Sequence, residues 1–374
     1  MNVGILSWII DRKRKGVDNY IYNLIKNMIK MGKSDQISLI HYKKTNDPIY
    51  SKVNDIIIPK MPLKLTNPIG IPRAVKNAHI DILHLPIHWY TQISPFFLNR
   101  KVKKVLTIHD LTPILFPEMH TRDTVRTWNS TLNLIKNRTD SIISDSLNTK
   151  NDCIELLNIP EERIKVIPLA ADEIYKPMEN KEMIKEYLKK RYNVDIPFIL
   201  FVGTLEKRKN VPLLIKAFNE FKGYGSNHKL VIVGGKGWKY TEIFDLIKSF
   251  KLKDDVIFTD YVPDNDLVKF YNIADLFVYP SLYEGFGLPP LEAMACGCPV
   301  ITSNISSLPE VVGDAGLMID PNDVESLTES MHEILTNEGL KENYIKKSLE
   351  RAKMFSWKKT AEETWKTYEE TYKI

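Results

Sequence analysis

Short apolar runs recur along the chain, each bounded by glycine, proline or charge. Residues 2–8 form the first, and others lie at 37–40, 55–58, 81–85, 102–108, 141–144 and 165–167. A second series occupies 198–203, 229–234, 256–258, 276–279, 299–302 and 316–319. Runs of this length and apolarity suit strands covered on both faces. Helical patterns separate several of them. Val17, Tyr20, Ile21, Leu24, Met28 and Met31 make one apolar stripe at helical spacing, closed by Gly32. Residues 323–374 are predicted to be mostly helical. Alternating strands and helices predict an α/β class with parallel, doubly wound sheets.

The alternation lapses once. IPLAADEIYKPMEN, residues 167–180, has prolines that discourage helix and reads as a linker, with a short helical segment (181–191) after it. A chain of 374 residues also exceeds one comfortable core. Two domains are therefore expected, over residues 1–174 and 175–356, each with its own strand series. Residues 59–72 carry four prolines and are predicted to be a loop, as is the charged stretch 11–16.

Composition adds few constraints. Apolar residues make up 43% and charged residues 26%, as in soluble globular proteins. The apolar start is short and lacks both a basic region and a cleavage site, and no run is long enough to span a membrane. Three cysteines, Cys153, Cys296 and Cys298, fit a reducing cytoplasm better than a disulfide framework. Charge is uneven: residues 1–174 hold 25 Lys and Arg against 17 Asp and Glu, and the remainder 27 against 30. Two basic clusters, Arg12–Lys15 and Arg100–Lys104, could attract an anionic membrane surface or a phosphate-bearing acceptor, or be ordinary solvated lysines. No basic helix or reader motif accompanies them, so no nucleic-acid partner is expected.

The densest chemistry lies at 275–303, DLFVYPSLYEGFGLPPLEAMACGCPVITS. A strand ends at Pro280, a loop carries Gly285 and Gly287, Pro289 and Pro290 suit a first helical turn, and Gly297 suits the helix end. A helix N-terminus at the carboxyl end of a strand favours an anion such as a diphosphate. Glu284 and Glu292 bracket the loop with seven residues between them. Carboxylates suit vicinal hydroxyls on a ribose or hexose; an isolated pair at this spacing is more often a solvated loop residue and a helix-dipole partner. In FVGTLEKRKNVPLLIKAF, residues 201–218, Lys207, Arg208 and Lys209 precede a helix with Pro212 in its first turn, which makes a candidate diphosphate clamp. LTIHDLTPILFPE, residues 106–118, puts His109 and Asp110 at the carboxyl end of a strand. Metal ligation is not expected: Pro86 interrupts the His84–His88 spacing, and Cys296 and Cys298 lack a second pair. VGGKGW at 233–238 does not satisfy G-x-G-x-x-G and no P-loop occurs, which argues against dinucleotide oxidoreductases and P-loop enzymes.

EGFGLPPLE resembles the E-x7-E signature of retaining, nucleotide-sugar-dependent glycosyltransferases of family 4, which have the GT-B fold. The resemblance is dense over residues 198–325 and thinner before them. It implies two Rossmann-like domains facing a cleft, with residues 357–374 crossing back onto the first. It assigns Lys209 and Arg208 to the donor diphosphate, with Gly203, Thr204 and the amides of Phe286, Gly287 and Leu288 beside it. Many members have arginine where this chain has Thr204, and Arg208 is expected to compensate. Glu292 would hold the ribose and Glu284 the sugar hydroxyls, with backbone at Tyr261 and Val262 against the base. In the first domain Gly16 resembles the family's glycine loop, though Lys15 replaces a common second glycine, and His109 would contact the donor sugar near the reacting carbon.

The implied catalytic set is His109, Glu284 and Lys209, with no metal and no cofactor beyond the nucleoside-diphosphate sugar. The expected reaction moves a hexose, mannose first and from GDP-mannose first, to a glycan or lipid-linked acceptor in surface polysaccharide synthesis. A GT-B epimerase or hydrolase and a non-catalytic sugar-nucleotide-binding scaffold are the alternatives. The expected location is cytoplasmic, with peripheral membrane contact through the basic half.

Overall fold

Runs of buried apolar residues become strands because each side of a sheet is covered by helices. β8 (Phe198–Val202) and β11 (Leu276–Tyr279) show it best: Phe198, Ile199, Leu200, Phe201 and all four residues of β11 are fully buried. Each such side chain contributes roughly 1.5–3 kcal/mol by leaving water. The computed structural model describes residues 1–7, 16–43, 47–59, 69–86, 94–195, 197–235, 237 and 241–374.

Among these residues the first sheet comprises β1 (Val3–Leu6), β2 (Ile37–His41), β3 (Asn54–Ile57), β4 (Ile82–Leu85), β5 (Lys103–Ile108), β6 (Ser141–Ser144) and β7 (Ile164–Val166). Their order is β3-β2-β1-β4-β5-β6-β7, and every pairing is parallel. The second sheet adds β9 (Lys229–Val233), β10 (Val256–Asp260), β12 (Val300–Ser303) and β13 (Leu317–Ile319) to β8 and β11. Its order is β10-β9-β8-β11-β12-β13, again parallel. In each sheet the winding reverses once, between β1 and β4 and between β8 and β11. Loops at the carboxyl ends of such strands diverge and leave room for a ligand.

The chain divides into two compact units, Met1–Leu169 with Ser356–Ile374, and Ala170–Phe355. The division falls inside the stretch read as a linker. The helix Trp357–Lys373 packs on the helix Val17–Lys30 of the first unit. It is pinned there by polar contacts: Tyr368 OH to His84 Nδ1 (2.6 Å), Thr371 Oγ1 to Ser141 Oγ (2.7 Å) and Thr360 Oγ1 donating to Pro168 O (2.7 Å). His84 Nε2 meets Thr107 Oγ1 at 2.8 Å, and Thr107 Oγ1 meets Tyr20 OH at 3.0 Å. A buried polar chain thus crosses from the last helix through β4 and β5 to the first. Burial pushes His84 down to about 3, so it sits there neutral.

Two expectations change. The proline-rich loop ends early, because Ile71 and Pro72 open the helix Ile71–Asn77, where a missing N–H does no harm; residues 60–68 lie outside the described part. The basic cluster Arg100–Lys104 is not one exposed patch. Lys104 lies on β5 with 3% exposure and donates to Val102 O (2.9 Å), and Lys103 pairs with Asp140 (3.7 Å). The cluster Arg12–Lys15 and His88 fall outside the described residues.

Candidate active site

Two loops meet at the winding reversal of the second unit. After β8, Gly203 donates to Val233 O (2.8 Å), and a 3-10 turn, Lys207–Lys209, leads to Asn210. Asn210 has left-handed backbone (φ 54°), and its side chain donates to Pro321 O at 2.7 Å. This fixes the start of the helix Val211–Gly223, with Pro212 in its first turn. After β11, Leu282 N and Ser281 Oγ donate to Arg208 O (2.8 and 3.1 Å), tying the loops together. Gly287 takes φ 124°, a conformation open to glycine, and starts the helix Leu288–Ala295, with Pro289 and Pro290 in its first turn.

The side chains converge on Glu284. Lys209 Nζ lies 2.7 Å from Oε1, Ser281 Oγ 2.5 Å from the same oxygen, and Arg208 Nη1 2.8 Å from Oε2. Lys209 also donates to Tyr279 OH on β11, and Arg208 Nη1 to Tyr283 O (2.6 Å). Burial by itself would raise the pKa of Glu284, but Arg208 and Lys209 outweigh it and hold the carboxyl down to about 2. Burial pushes Lys209 below the ordinary lysine range, with Arg208 adding to the push and Glu284 opposing it. Lys209 and Glu284 are 11% and 10% exposed, so the pair stands at the edge of solvent, within reach of a ligand. Ser306 and Ser307 brace the loop: Glu284 N donates to Ser306 Oγ, and Ser307 Oγ to the carbonyls of Glu284 and Phe286.

The second glutamate differs. Glu292, half-buried in the first turn after Gly287, accepts a hydrogen bond from Tyr271 OH at 3.0 Å. Loss of water raises it to about 8, with Asp264 and Asp172 adding to the rise. The two carboxyls of E-x7-E are therefore pushed apart in acidity. The Glu284 oxygens already receive three protein donors, while burial shifts Glu292 toward its protonated form. Tyr261 and Val262 follow β10, beside the bond from Gly234 N to Asp260 O (3.0 Å); Tyr261 is 40% exposed and Val262 buried. Thr204 is exposed and offers no charge, which leaves Arg208 and Lys209 as the cations on this loop nearest Glu284.

In the first unit Gly16, with positive φ (41°), opens the helix that carries Tyr20, and the Tyr20 ring lies edge-on to His109 at 4.9 Å. His109 follows β5. Its Nδ1 is 2.5 Å from Asp145 Oδ2 and its Nε2 is 3.0 Å from Pro86 O. Both ring nitrogens are thus engaged by the protein. Asp110 instead accepts from Thr112 N and Thr112 Oγ1 at the start of the helix Thr112–Leu115. Sequence reasoning missed Asp145, Tyr279, Ser281 and Tyr271. Asp145 had a usable signal, since it follows a buried strand as His109 does.

Among the described residues no group of His, Cys, Asp and Glu is placed to hold a metal ion, and no helix is long and apolar enough to cross a membrane.

Comparison with known proteins bears on these features together. Residues 14–173 match the model of Glycosyltransferase Family 4, and residues 184–351 that of Glycosyl transferases group 1. O-antigen chain mannosyltransferase B of Escherichia coli is 36% identical over 275 residues, covering 73% of this chain and 72% of that one. Serotype-specific mannosyltransferase WbdA of E. coli is 34% identical over 263 residues, 69% of this chain but 32% of that longer protein. Among solved structures, sucrose-phosphate synthase from Thermosynechococcus elongatus superposes with a TM-score of 0.79 at 20% identity, covering 99% of both chains. Alr3699/HepE of Anabaena, solved with UDP and glucose, gives 0.78 at 18%, over 99% and 100%. At those identities the likeness speaks for the fold, which is GT-B. The chain belongs to the family 4 glycosyltransferases and is a nucleotide-sugar-dependent transferase.

Proposed function

We propose that the chain is a retaining hexosyltransferase that takes mannose from GDP-mannose and adds it to a glycan or lipid-linked acceptor of a surface polysaccharide. The observation that carries this reading is the cluster of Lys209, Arg208 and Glu284 where the second sheet reverses its winding. Two cations beside a helix start suit a diphosphate leaving group. The mannosyltransferase relatives support the sugar and the acceptor class.

In the proposed reaction the bond from C1 to the diphosphate oxygen breaks, and the acceptor oxygen bonds C1 on the same face. The acceptor proton passes to the departing phosphate oxygen. Lys209 and Arg208 stabilise the charge that grows there, supported by the amides of Phe286, Gly287 and Leu288. Glu284 orients the sugar, Glu292 the ribose, and backbone at Tyr261 and Val262 the base. Gly203 and Thr204 line the phosphate, Gly16 lets backbone approach, and His109 contacts the donor sugar. Neither a metal nor a cofactor enters the scheme, and membrane contact is not needed for it.

The test is nucleotide binding by calorimetry, with and without EDTA, followed by product analysis. GDP should be preferred over UDP, ADP and CDP, survive EDTA, and be lost in Lys209→Ala. Folded protein that binds none of them sinks the donor site. A β-linked product from an α-linked donor overturns retention, and free sugar with no transfer to any acceptor points to a hydrolase.

A further inference from the structure

The surroundings of His109 fix its chemistry more tightly than its place in the chain does. One ring nitrogen faces the Asp145 carboxylate (2.5 Å) and the other the Pro86 carbonyl (3.0 Å). The carbonyl is an acceptor, and so is Asp145 in its ionised form, which the His109 charge and hydrogen bond favour against the burial that raises its pKa. A neutral imidazole has one N–H, so it can satisfy one of them; the imidazolium satisfies both.

Asp145 is placed for this one task. Its side chain is 3% exposed, it follows β6 directly, and among the described residues its second oxygen, Oδ1, has no donor. Among the described residues, the hydrogen bonding of its side chain goes to His109. A buried carboxylate with one bare oxygen is a liability to the fold, which makes a purely structural role a poor explanation.

We propose that Asp145 is a positioning residue that keeps His109 doubly protonated, so that the ring meets its ligand as a hydrogen-bond donor and positive charge and never as a base. The ligand group is an oxygen acceptor, a sugar hydroxyl or a phosphate oxygen, that takes the place of the Pro86 carbonyl at Nε2. The imidazole is 15% exposed, which leaves an edge for that exchange. This rests on the assignment of His109 to the donor, and it explains how a histidine can serve a reaction that needs no base.

The other groups facing the ring do not replace Asp145. Tyr20, on the helix Val17–Lys30, packs edge-on, and burial keeps its phenol protonated. His84 on β4 is neutral, and Asp110 is engaged at Thr112. Burial on its own would lower the basicity of His109; the Asp145 charge and its hydrogen bond outweigh that and raise it.

The experiment uses the full chain with 15N-labelled histidine, the His109 signals being assigned by their loss in His109→Gln. Both ring nitrogens should remain protonated at about pH 7.5, a unit above an ordinary histidine. A ring that is neutral there overturns the proposal, whether or not the protein turns over. In Asp145→Asn the ring should instead be neutral at that pH. Transfer by that variant should fall about tenfold or more at pH 8 and recover toward the wild-type rate at pH 6. The same fractional activity at every pH would overturn the proposal. Asp145→Glu, which keeps the charge, should keep the wild-type pH profile and covers the case in which the asparagine variant fails to fold. If nucleotide binding at Lys209 fails instead, the functional reading falls while the His109 titration still decides this one.

Discussion

Lys209 Nζ and Glu284 Oε1 lie 2.7 Å apart although 75 residues separate them in the chain. With Arg208 on the other oxygen, one carboxylate pairs with both cations of the proposed diphosphate clamp and offsets half of their charge. A diphosphate and Glu284 thus compete for the same donors. Removing the charge while keeping the shape, in Glu284→Gln, should tighten binding of free GDP by up to about tenfold, about 1.4 kcal/mol. Transfer should fall at the same time, because the sugar loses its anchor. Calorimetry and initial rates on one preparation check both, and weaker GDP binding would show that Glu284 supports the clamp rather than occupying it.

Glu292 predicts a pH dependence of opposite sign to that of an ordinary paired carboxylate. Its pKa rises from 4.5 to about 8, so the folded protein holds a proton that the unfolded chain releases. The stability this proton contributes is complete below 4.5 and is lost as pH rises through 8. Glu292→Gln copies the protonated form and should remove that slope. The gain in urea midpoint of the variant over wild type should therefore be larger at about pH 8.5 than at about pH 5. An equal difference at both would mean that Glu292 is an ordinary carboxylate.

Gly234 supports the loop that carries the clamp. It sits at φ 149°, and a Cβ there would lie 2.0 Å from Gly203 O and 2.6 Å from Gly203 C. Both obstacles are backbone, so Gly234→Ala must displace the end of β8. We expect a loss of about 3 kcal/mol or more, a fall in Tm on the order of 6–12 °C for a unit of this size. Nucleotide binding should weaken with it. Gly223→Ala, at a helix end with nothing within 4 Å, is the control and should change neither.

Strands were legible from the sequence because parallel strands covered on both faces carry an unbroken apolar run. The run at 141–144 coincides with β6, and that at 276–279 with β11. Helix starts were legible where proline marks them, as at Pro212 and Pro289. Partners were not. The Glu284 pattern announces a carboxylate, but its ionisation is decided by Lys209 and Arg208 from the neighbouring loop, and that of Glu292 by its burial, with Asp264 and Asp172 adding to the rise and the Tyr271 hydrogen bond opposing it. His109 and Asp145 stand 36 residues apart on neighbouring strands, a pairing that only the parallel register of β5 and β6 reveals. Lys104 shows the converse: four basic residues in five look like a patch until the strand turns one of them inward.

The helix Trp357–Lys373 belongs to the first unit yet follows all of the second in the chain. During synthesis the nascent first unit therefore waits, with the face of Tyr20, His84 and Ser141 uncovered, while nearly two hundred further residues are made. The second unit, continuous in sequence, can close on its own as it leaves the ribosome. The first unit is thus completed by a helix made only after the whole of the second.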